Sequence, residues 1–171
     1  VMKTYLENIV GDARDNGLLV EPKILQSNGG VASPSDASLY PVRTLASGPA
    51  AGVIGAVKVA LDVGEPNVIT FDVGGTTADI CLVENGEPLF AVERDVAGYP
   101  VRFPMVDVLS IGAGGGSIAW LDAGGFLHVG PQSAGAAPGP VCYGRGGTEP
   151  TVTDANLVLG RLNQSGLLAG R

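Results

Sequence analysis

Apolar residues at the start of the chain recur at helical spacing. Tyr5, Leu6, Ile9, Val10 and Ala13 fall on one face and Gly17 supplies a stop, so an amphipathic helix is expected there. Ile24-Leu25-Gln26-Ser27 reads as a short strand entering the turn signal Asn28-Gly29-Gly30. Pro34, Ser35 and Pro41 predict a surface loop. A second helix is expected to begin near Ser47, with that serine as cap and Pro49 in the first turn. Its apolar face is Ala50, Val53, Ile54, Val57 and Leu61, while Ala51, Gly52, Gly55 and Ala56 keep it slim enough for close approach.

The pattern then switches to short apolar runs. Residues 68–71 read as a strand, 72–77 as a Gly-Thr turn and 78–83 as a second strand, followed by the hairpin signal Asn85-Gly86 and a third strand over 88–92. From Val106 the chain runs apolar into Gly112-Ala113-Gly114-Gly115-Gly116-Ser117. A hairpin is expected next: 118–121, a Gly124-Gly125 turn, and 126–129. Residues 132–147, rich in Gly, Ala and Pro, lack periodicity and predict a long loop of the kind that usually has a function. Thr153 is placed to cap a last helix through Leu157, Val158 and Leu162.

Composition narrows the classes. At 171 residues, 45% hydrophobic and 16% charged, the chain has the make-up of a globular domain. Its 27 glycines come in clusters without a fixed period, which excludes collagen and points to tight, backbone-exposing loops. A net charge of −7 with only Lys3, Lys23 and Lys58 as lysines argues against nucleic acid or an anionic membrane as partner. No apolar run is long enough to span a bilayer and no signal-peptide pattern opens the chain, so a cytoplasmic protein is expected. Cys81 and Cys142 form no metal-ligand motif and read as bystander thiols, and Asn163-Gln164-Ser165 reads as a chance sequon.

The segment Asp72-Val73-Gly74-Gly75-Thr76-Thr77-Ala78-Asp79 carries the chemistry. A strand ends at a carboxylate, and two glycines let the backbone turn and present N–H groups, a concavity that suits anions. The hydroxyls of Thr76 and Thr77 add donors, and Asp72 is a natural partner for Mg²⁺ beside a phosphate. A plain Gly-Gly hairpin with a solvated aspartate fits the same spacing. Gly112 to Ser117 departs from the dinucleotide fingerprint, because position 117 is Ser and a strand, not a helix, should follow. Gly114, Gly115 and Gly116 are therefore read as a nucleotide-facing loop or a structural turn. No Gly-Lys-Ser/Thr P-loop occurs. His128, the lone histidine, fits a structural residue or a ligand. Asp154 fits a helix-terminus charge or a catalytic acid, and Arg145 a bidentate partner for phosphate or carboxylate or an ordinary surface arginine. Asn28-Gly29-Gly30 either lines a cleft or only turns the chain.

Residues 71–79 resemble the second phosphate motif of the superfamily that unites sugar and acetate kinases, seventy-kilodalton heat-shock chaperones and actin. Gly48-Pro49-Ala50-Ala51-Gly52-Val53-Ile54-Gly55-Ala56 resembles the small-residue connecting helix before that motif. Further blocks narrow the resemblance: Gln26 to Gly30, Ser47 to Gly52, Ser110 to Trp120, Ala136 to Gly147 and Pro150 to Asn156. With them nearly the whole chain is similar to the A subunit of the hydantoinase/oxoprolinase family, which includes N-methylhydantoinases, 5-oxoprolinases, and acetone and acetophenone carboxylase subunits.

The resemblance implies an α/β fold, a ribonuclease-H-like piece of the actin-like ATPase fold, with residues 1–46 ending one lobe and 47–171 forming the phosphate-binding part of the next. Family members carry an earlier Asp-Gly-Gly-Thr phosphate loop and sequence beyond the last helix, so the chain reads as a central fragment. The implied activity is ATP-dependent opening of a cyclic amide or imide through phosphoryl activation of a carbonyl oxygen, assisted by a second, B-type subunit or domain. A ketone carboxylase subunit and a non-catalytic chaperone-like ATP switch are the alternatives. The implied cofactors are ATP and Mg²⁺. Asp72 would hold the metal, Gly74, Gly75, Thr76 and Thr77 the phosphates, with Gly114, Gly115 and Gly116 facing the nucleotide and Asp79 in support.

Overall fold

The structure, a computed structural model, describes residues 1–96 and 98–163. It divides into two compact units, residues 1–70 with 81–108 and residues 71–80 with 109–171.

In the first unit, α1 (Met2–Asp15) buries Leu6, ends at Asn16, and leaves Gly17 at φ +88°, the left-handed stop its position predicted. β1 (Ile24–Leu25) pairs antiparallel with β2 (Val31–Ala32) across the Asn28-Gly29-Gly30 turn. The expected Pro34–Pro41 loop is instead helical: α2 spans Pro34–Leu39 and a 3-10 turn spans Pro41–Thr44. Ser33 caps α2 by accepting from the Asp36 amide at 3.1 Å. Proline at a first-turn position starts a helix rather than breaking one, because it lacks only a donor that the first turn leaves unpaired.

α3 (Ser47–Asp62) begins one residue away from the expected geometry. Its cap position is Ala46, left-handed at φ 55°, and Ser47 is the first helical residue with no capping bond. Ala50, Val53, Val57 and Ala60 form its buried face, so Ala60 takes the place expected for Ile54 and Leu61. Those two are half-exposed and lie against turns instead: an added Cβ on Gly29 would come within 2.8 Å of Ile54, and one on Gly86 within 2.9 Å of Leu61.

β3 (Val68–Val73) and β4 (Ala78–Glu84) are neighbours in a sheet of order β10-β4-β3. Cys81 and Val83 of β4 join Ala50, Val53, Val57, Val106 and Val108 in the core of the first unit, with Val68 packed against it. Asn85 (φ 54°) and Gly86 (φ 79°) make the predicted tight turn. The single third strand expected over 88–92 is split. β5 (Glu87–Pro88) pairs with Val83 and Glu84, and then β6 (Phe90–Ala91) pairs with β9 (Met105–Val106). A hairpin of β7 (Arg94–Val96) and β8 (Tyr99–Val101) lies between β6 and β9 in sequence.

In the second unit, β10 (Leu109–Ile111) pairs with the start of β4, Leu109 opposite Ile80 and Ile111 opposite Ala78. β11 (Ser117–Leu121) and β12 (Leu127–Ser133) form the predicted hairpin, β12 running further than expected so that the long loop begins at Ala134. That loop contains a 3-10 turn, Val141–Tyr143. α4 (Val152–Val158) ends before Leu162, and its cap is Thr151, not Thr153. Thr151 and Asp154 close a reciprocal capping box, a Thr-x-x-Asp pattern readable in the sequence. Of the sequon, Gln164 and Ser165 lie outside the described residues. No described helix is long and apolar enough to cross a membrane.

Candidate functional site

The hairpin of the second unit is built with no slack. The Gly74 amide donates to the Thr77 carbonyl at 2.9 Å, leaving Gly75 and Thr76 as a two-residue tip. That closure puts Val73 opposite Ala78 and Asp72 opposite Asp79. Directly opposed residues of antiparallel strands project to the same face, so by this count from the Gly74–Thr77 closure the two aspartates share one face of the β3–β4 pair. Ser110 is the register partner of Asp79 on the next strand and its hydroxyl donates to Asp79 Oδ1. Ser110, Asp79 and Asp72 thus form a row across three strands, with Asp79 fixed by Ser110. Like charges facing each other across a strand pair repel, and neither aspartate has a cationic side-chain partner among the described residues.

The tip presents donors. The amides of Gly75 and Thr76 and the hydroxyls of Thr76 and Thr77 donate to no acceptor among the described residues, and all three residues are exposed. This donor set fits phosphate oxygens. No group of three or more His, Cys, Asp and Glu is placed to hold a metal among the described residues. A cation at Asp72 and Asp79 would therefore complete its shell with ligand and water oxygens, as Mg²⁺ prefers.

Gly114, Gly115 and Gly116 lie against this tip, and their amides are spent within the unit. Gly114 donates to Ser117 Oγ at 2.8 Å, Gly115 to the Gly74 carbonyl at 2.9 Å and Gly116 to the Gly75 carbonyl at 2.6 Å. A Cβ at Gly114 would sit 2.7 Å from the Thr76 nitrogen and 2.8 Å from the Gly74 carbonyl oxygen. These glycines grip the hairpin main chain to main chain. The Gly115 carbonyl in turn accepts from the Thr153 amide and hydroxyl, both at 2.8 Å. Ser117, fully buried, and Thr153 are members of this lattice that sequence patterning alone did not single out for it.

A cavity of about 300 Å³ opens beside the tip, lined by Gly75, Thr76, Gly116, Tyr143, Arg145 and Thr153 among others. The loop bearing Arg145 is latched to α4. Asp154 accepts from the Cys142 amide at 2.7 Å, the Thr151 amide and hydroxyl at 2.8 Å, and the Val141 amide at 3.3 Å. Burial alone would raise the Asp154 carboxyl, but the donors from Cys142 and Thr151 outweigh it and hold the group at about 2. Burial, then the hydrogen bond to Asp154 and its charge, push the Cys142 thiol up to about 11, so it stays protonated. Asp154 is thereby placed as a cap and latch.

The remaining candidates lie elsewhere. His128 Nε2 is 2.7 Å from Asp122 Oδ2 and stacks on Trp120 with ring centroids 4.7 Å apart, a satisfied pair on the β11–β12 hairpin. Its hydrogen bond is the main cause of a lowered Asp122 carboxyl. Cys81 is buried in the first unit and burial raises its thiol. Asn28-Gly29-Gly30 turns the chain, with the Gly29 amide donating to the Gln26 carbonyl at 3.0 Å.

Comparison with known proteins agrees with this architecture. A solved nucleotide-free acetone carboxylase, from work on ATP-dependent acetone carboxylation, superposes with a TM-score of 0.78 and 33% identity, covering 95% of this chain and 23% of that one. The crystal structure of an ATP-dependent caprolactamase from Pseudomonas jessenii gives 0.73 and 47%, with 95% and 23% covered. A 5-oxoprolinase from Arabidopsis thaliana is 41% identical over 162 residues, 94% of this chain and 12% of that protein. The chain therefore spans about a quarter or less of the relatives it matches. The hydantoinase/oxoprolinase sequence profile matches residues 1–171, and the chain belongs to that family.

Proposed function

We propose that this chain is the phosphate-handling part of an ATP-dependent enzyme that activates a carbonyl oxygen by phosphoryl transfer, with a cyclic amide or imide as substrate. The observation that carries the reading is the Gly75-Thr76 tip, whose donors have no acceptor among the described residues, set on the same hairpin as Asp72 and Asp79. The fold is read as a piece of the actin-like ATPase architecture, residues 1–46 ending one lobe and 47–171 continuing into the next. A cytoplasmic location is part of the same reading.

In this reading the Gly75 and Thr76 amides and the Thr76 and Thr77 hydroxyls orient the terminal phosphates of ATP. Their work is positioning and charge stabilisation, the main protein contribution to phosphoryl transfer. Asp72 would hold Mg²⁺, with Asp79 supporting it under the orientation imposed by Ser110. The chemistry that the ion supplies when bound is neutralisation of phosphate charge. Gly114, Gly115 and Gly116 serve the nucleotide by holding the tip in shape. The substrate carbonyl oxygen attacks the terminal phosphorus, the bond to the bridging oxygen breaks and ADP leaves. Water then adds to the activated carbon and the C–N bond breaks, a proton going to the departing nitrogen, so the ring opens as an acyl phosphate. A second water hydrolyses that acyl phosphate to carboxylate and phosphate, with a second subunit or domain assisting.

The closeness to the acetone carboxylase structure favours a second reading, in which a ketone oxygen is phosphorylated and its carbon nucleophile meets bicarbonate-derived CO₂. Phosphate release from Mg-ATP by the full-length protein with its partner subunit separates the two. Oxoproline, hydantoins and lactams are offered in one series, ketones with bicarbonate in the other, beside Asp72→Ala. Stimulation by a cyclic amide that Asp72→Ala lowers at least a hundredfold supports the first reading. Stimulation by ketones alone moves the assignment to the carboxylase, and ATP binding without stimulation by either favours a non-catalytic switch.

A further inference from the structure

We propose that Arg145 contacts the terminal, transferable phosphoryl group of the nucleotide, closing the site opposite the Gly75-Thr76 tip; the inference rests on the ATP reading above. Charge placement points there first. All three lysines lie in the first unit, and the arginines described in the second unit are Arg145 and Arg161. Arg161 donates to Asn156 Oδ1 at 3.3 Å. In the first unit Arg94 pairs with Asp107, Arg102 with Glu93, and Arg43 lies over Tyr40. Arg145 has no ion pair or hydrogen bond among the described residues, in a chain with 17 acidic side chains.

Geometry gives the second argument. Arg145 lines the same cavity as Gly75 and Thr76, so a phosphate on the tip amides would face the guanidinium across about 300 Å³ of space. The planar fork of arginine matches two phosphate oxygens at once. No acidic side chain among the described residues lines that cavity, and both oxygens of nearby Asp154 are engaged by Cys142, Thr151 and Val141. The loop is also pre-shaped. Gly144 and Gly146 flank Arg145 at φ +66° and +94°, and a Cβ on Gly147 would fall 2.2 Å from the Gly139 carbonyl oxygen. Such a backbone fixes where the Arg145 side chain starts, which lowers part of the ordering cost of binding. The sequence has no P-loop lysine, and Arg145 is the cation among the described residues lining this cavity.

The test is calorimetric titration of Mg-ATP and Mg-ADP into the full-length protein with its partner subunit, as wild type, Arg145→Ala and Arg145→Lys, each checked by thermal melting. Loss of a charged, bidentate contact should weaken ATP binding about tenfold or more in Arg145→Ala, while ADP affinity stays within about twofold of wild type. Arg145→Lys should keep the melting profile but recover only part of the ATP affinity, and added guanidinium ion should raise phosphate release in Arg145→Ala and not in Asp72→Ala. Unchanged ATP affinity in a folded Arg145→Ala overturns the inference and leaves the ATP reading standing. Equal losses for ATP and ADP overturn the assignment to the transferred group. Wild type binding neither nucleotide sinks the ATP reading, and this inference with it.

Discussion

Gly114→Ala is the sharpest perturbation of the candidate site, because one methyl group meets only main chain. The new Cβ would sit 2.7 Å from the Thr76 nitrogen, 2.8 Å from the Gly74 oxygen and 2.8 Å from the Gly75 carbonyl carbon. No side chain can swing away, so the hairpin tip or the glycine loop must move by several tenths of an ångström. Overpacking of this kind typically costs about 1–3 kcal/mol. Movement also strains the Gly115–Gly74 and Gly116–Gly75 hydrogen bonds, each worth about 1 kcal/mol net. A total of about 2–4 kcal/mol follows. The paired control is Gly112→Ala, whose Cβ would meet only Pro131 at 3.9 Å, an ordinary contact. In the full-length protein, Gly114→Ala should lower ATP affinity at least about thirtyfold, read by calorimetry, and lower the urea midpoint of this region. Gly112→Ala should leave both near wild type. Equal ATP affinity for the two variants would refute the claim that the glycine loop sets the shape of the phosphate tip.

Asp154→Asn tests the latch. The carboxyl sits at about 2 against an unfolded value of about 3.9, so its stabilising contribution is complete above about pH 4 and is lost as pH falls toward 2. After discounting for partial exposure that is about 1–2 kcal/mol; the stability gap between wild type and Asp154→Asn in urea should close on acidification, and a gap that persists near pH 2 would be the wrong sign. Met105→Ala removes one of the largest fully buried side chains and should cost about 2–5 kcal/mol in urea unfolding, with no selective effect on ATP over ADP. Ser110→Ala frees Asp79 and should raise the Mg²⁺ concentration needed for half-maximal phosphate release about tenfold or more, consistent with the loss of one hydrogen bond to a charged group.

Much of the scaffold was legible because its signals are local. Helical spacing in α1 and α3, Asn85-Gly86, and the two glycine-flanked hairpins each follow from a few neighbouring residues. The misreadings share a cause in tertiary competition. Proline at 34 reads as a loop former until Ser33 and Asp36 are recognised as its cap. The strand over 88–92 breaks because β4 is shared: β5 pairs with Val83 and Glu84, while β10 pairs with Ala78 to Ile80. No local pattern encodes that exchange of partner. For the candidate site, the sequence supplied the residues of the tip but not their wiring. The row Ser110–Asp79–Asp72 depends on register, and the spending of the Gly114, Gly115 and Gly116 amides depends on which loop they touch. Arg145 was legible as a bidentate partner for phosphate or carboxylate or as an ordinary surface arginine; the cavity it shares with Thr76 could not be read from the sequence.

The wealth of glycine then acquires a specific physical meaning. Among the described residues of the second unit, Ile118 is buried, and the other buried positions are small or polar: Ala78, Ser117, Pro140, Thr151 and the glycines at 114, 116, 130 and 139. A unit with so little apolar volume gains modestly from hydrophobic burial, which scales with area removed from water. Its order comes instead from main-chain bonds between loops, Gly74 to Gly115, Gly75 to Gly116, and Gly115 to Thr153. Side chains would hold these backbones apart, so the glycines at 114 and 116 are required by approach distance rather than by dihedral angle, since neither has a positive φ. The consequence for function is stiffness where it matters. A hairpin tip gripped by the Gly115 and Gly116 backbone, beside an arginine loop that Asp154 latches to α4, presents its donors already aligned. Preorganised donors of this kind stabilise developing charge without reorganising during the reaction, which is what the proposed phosphoryl-transfer reading requires of this tip.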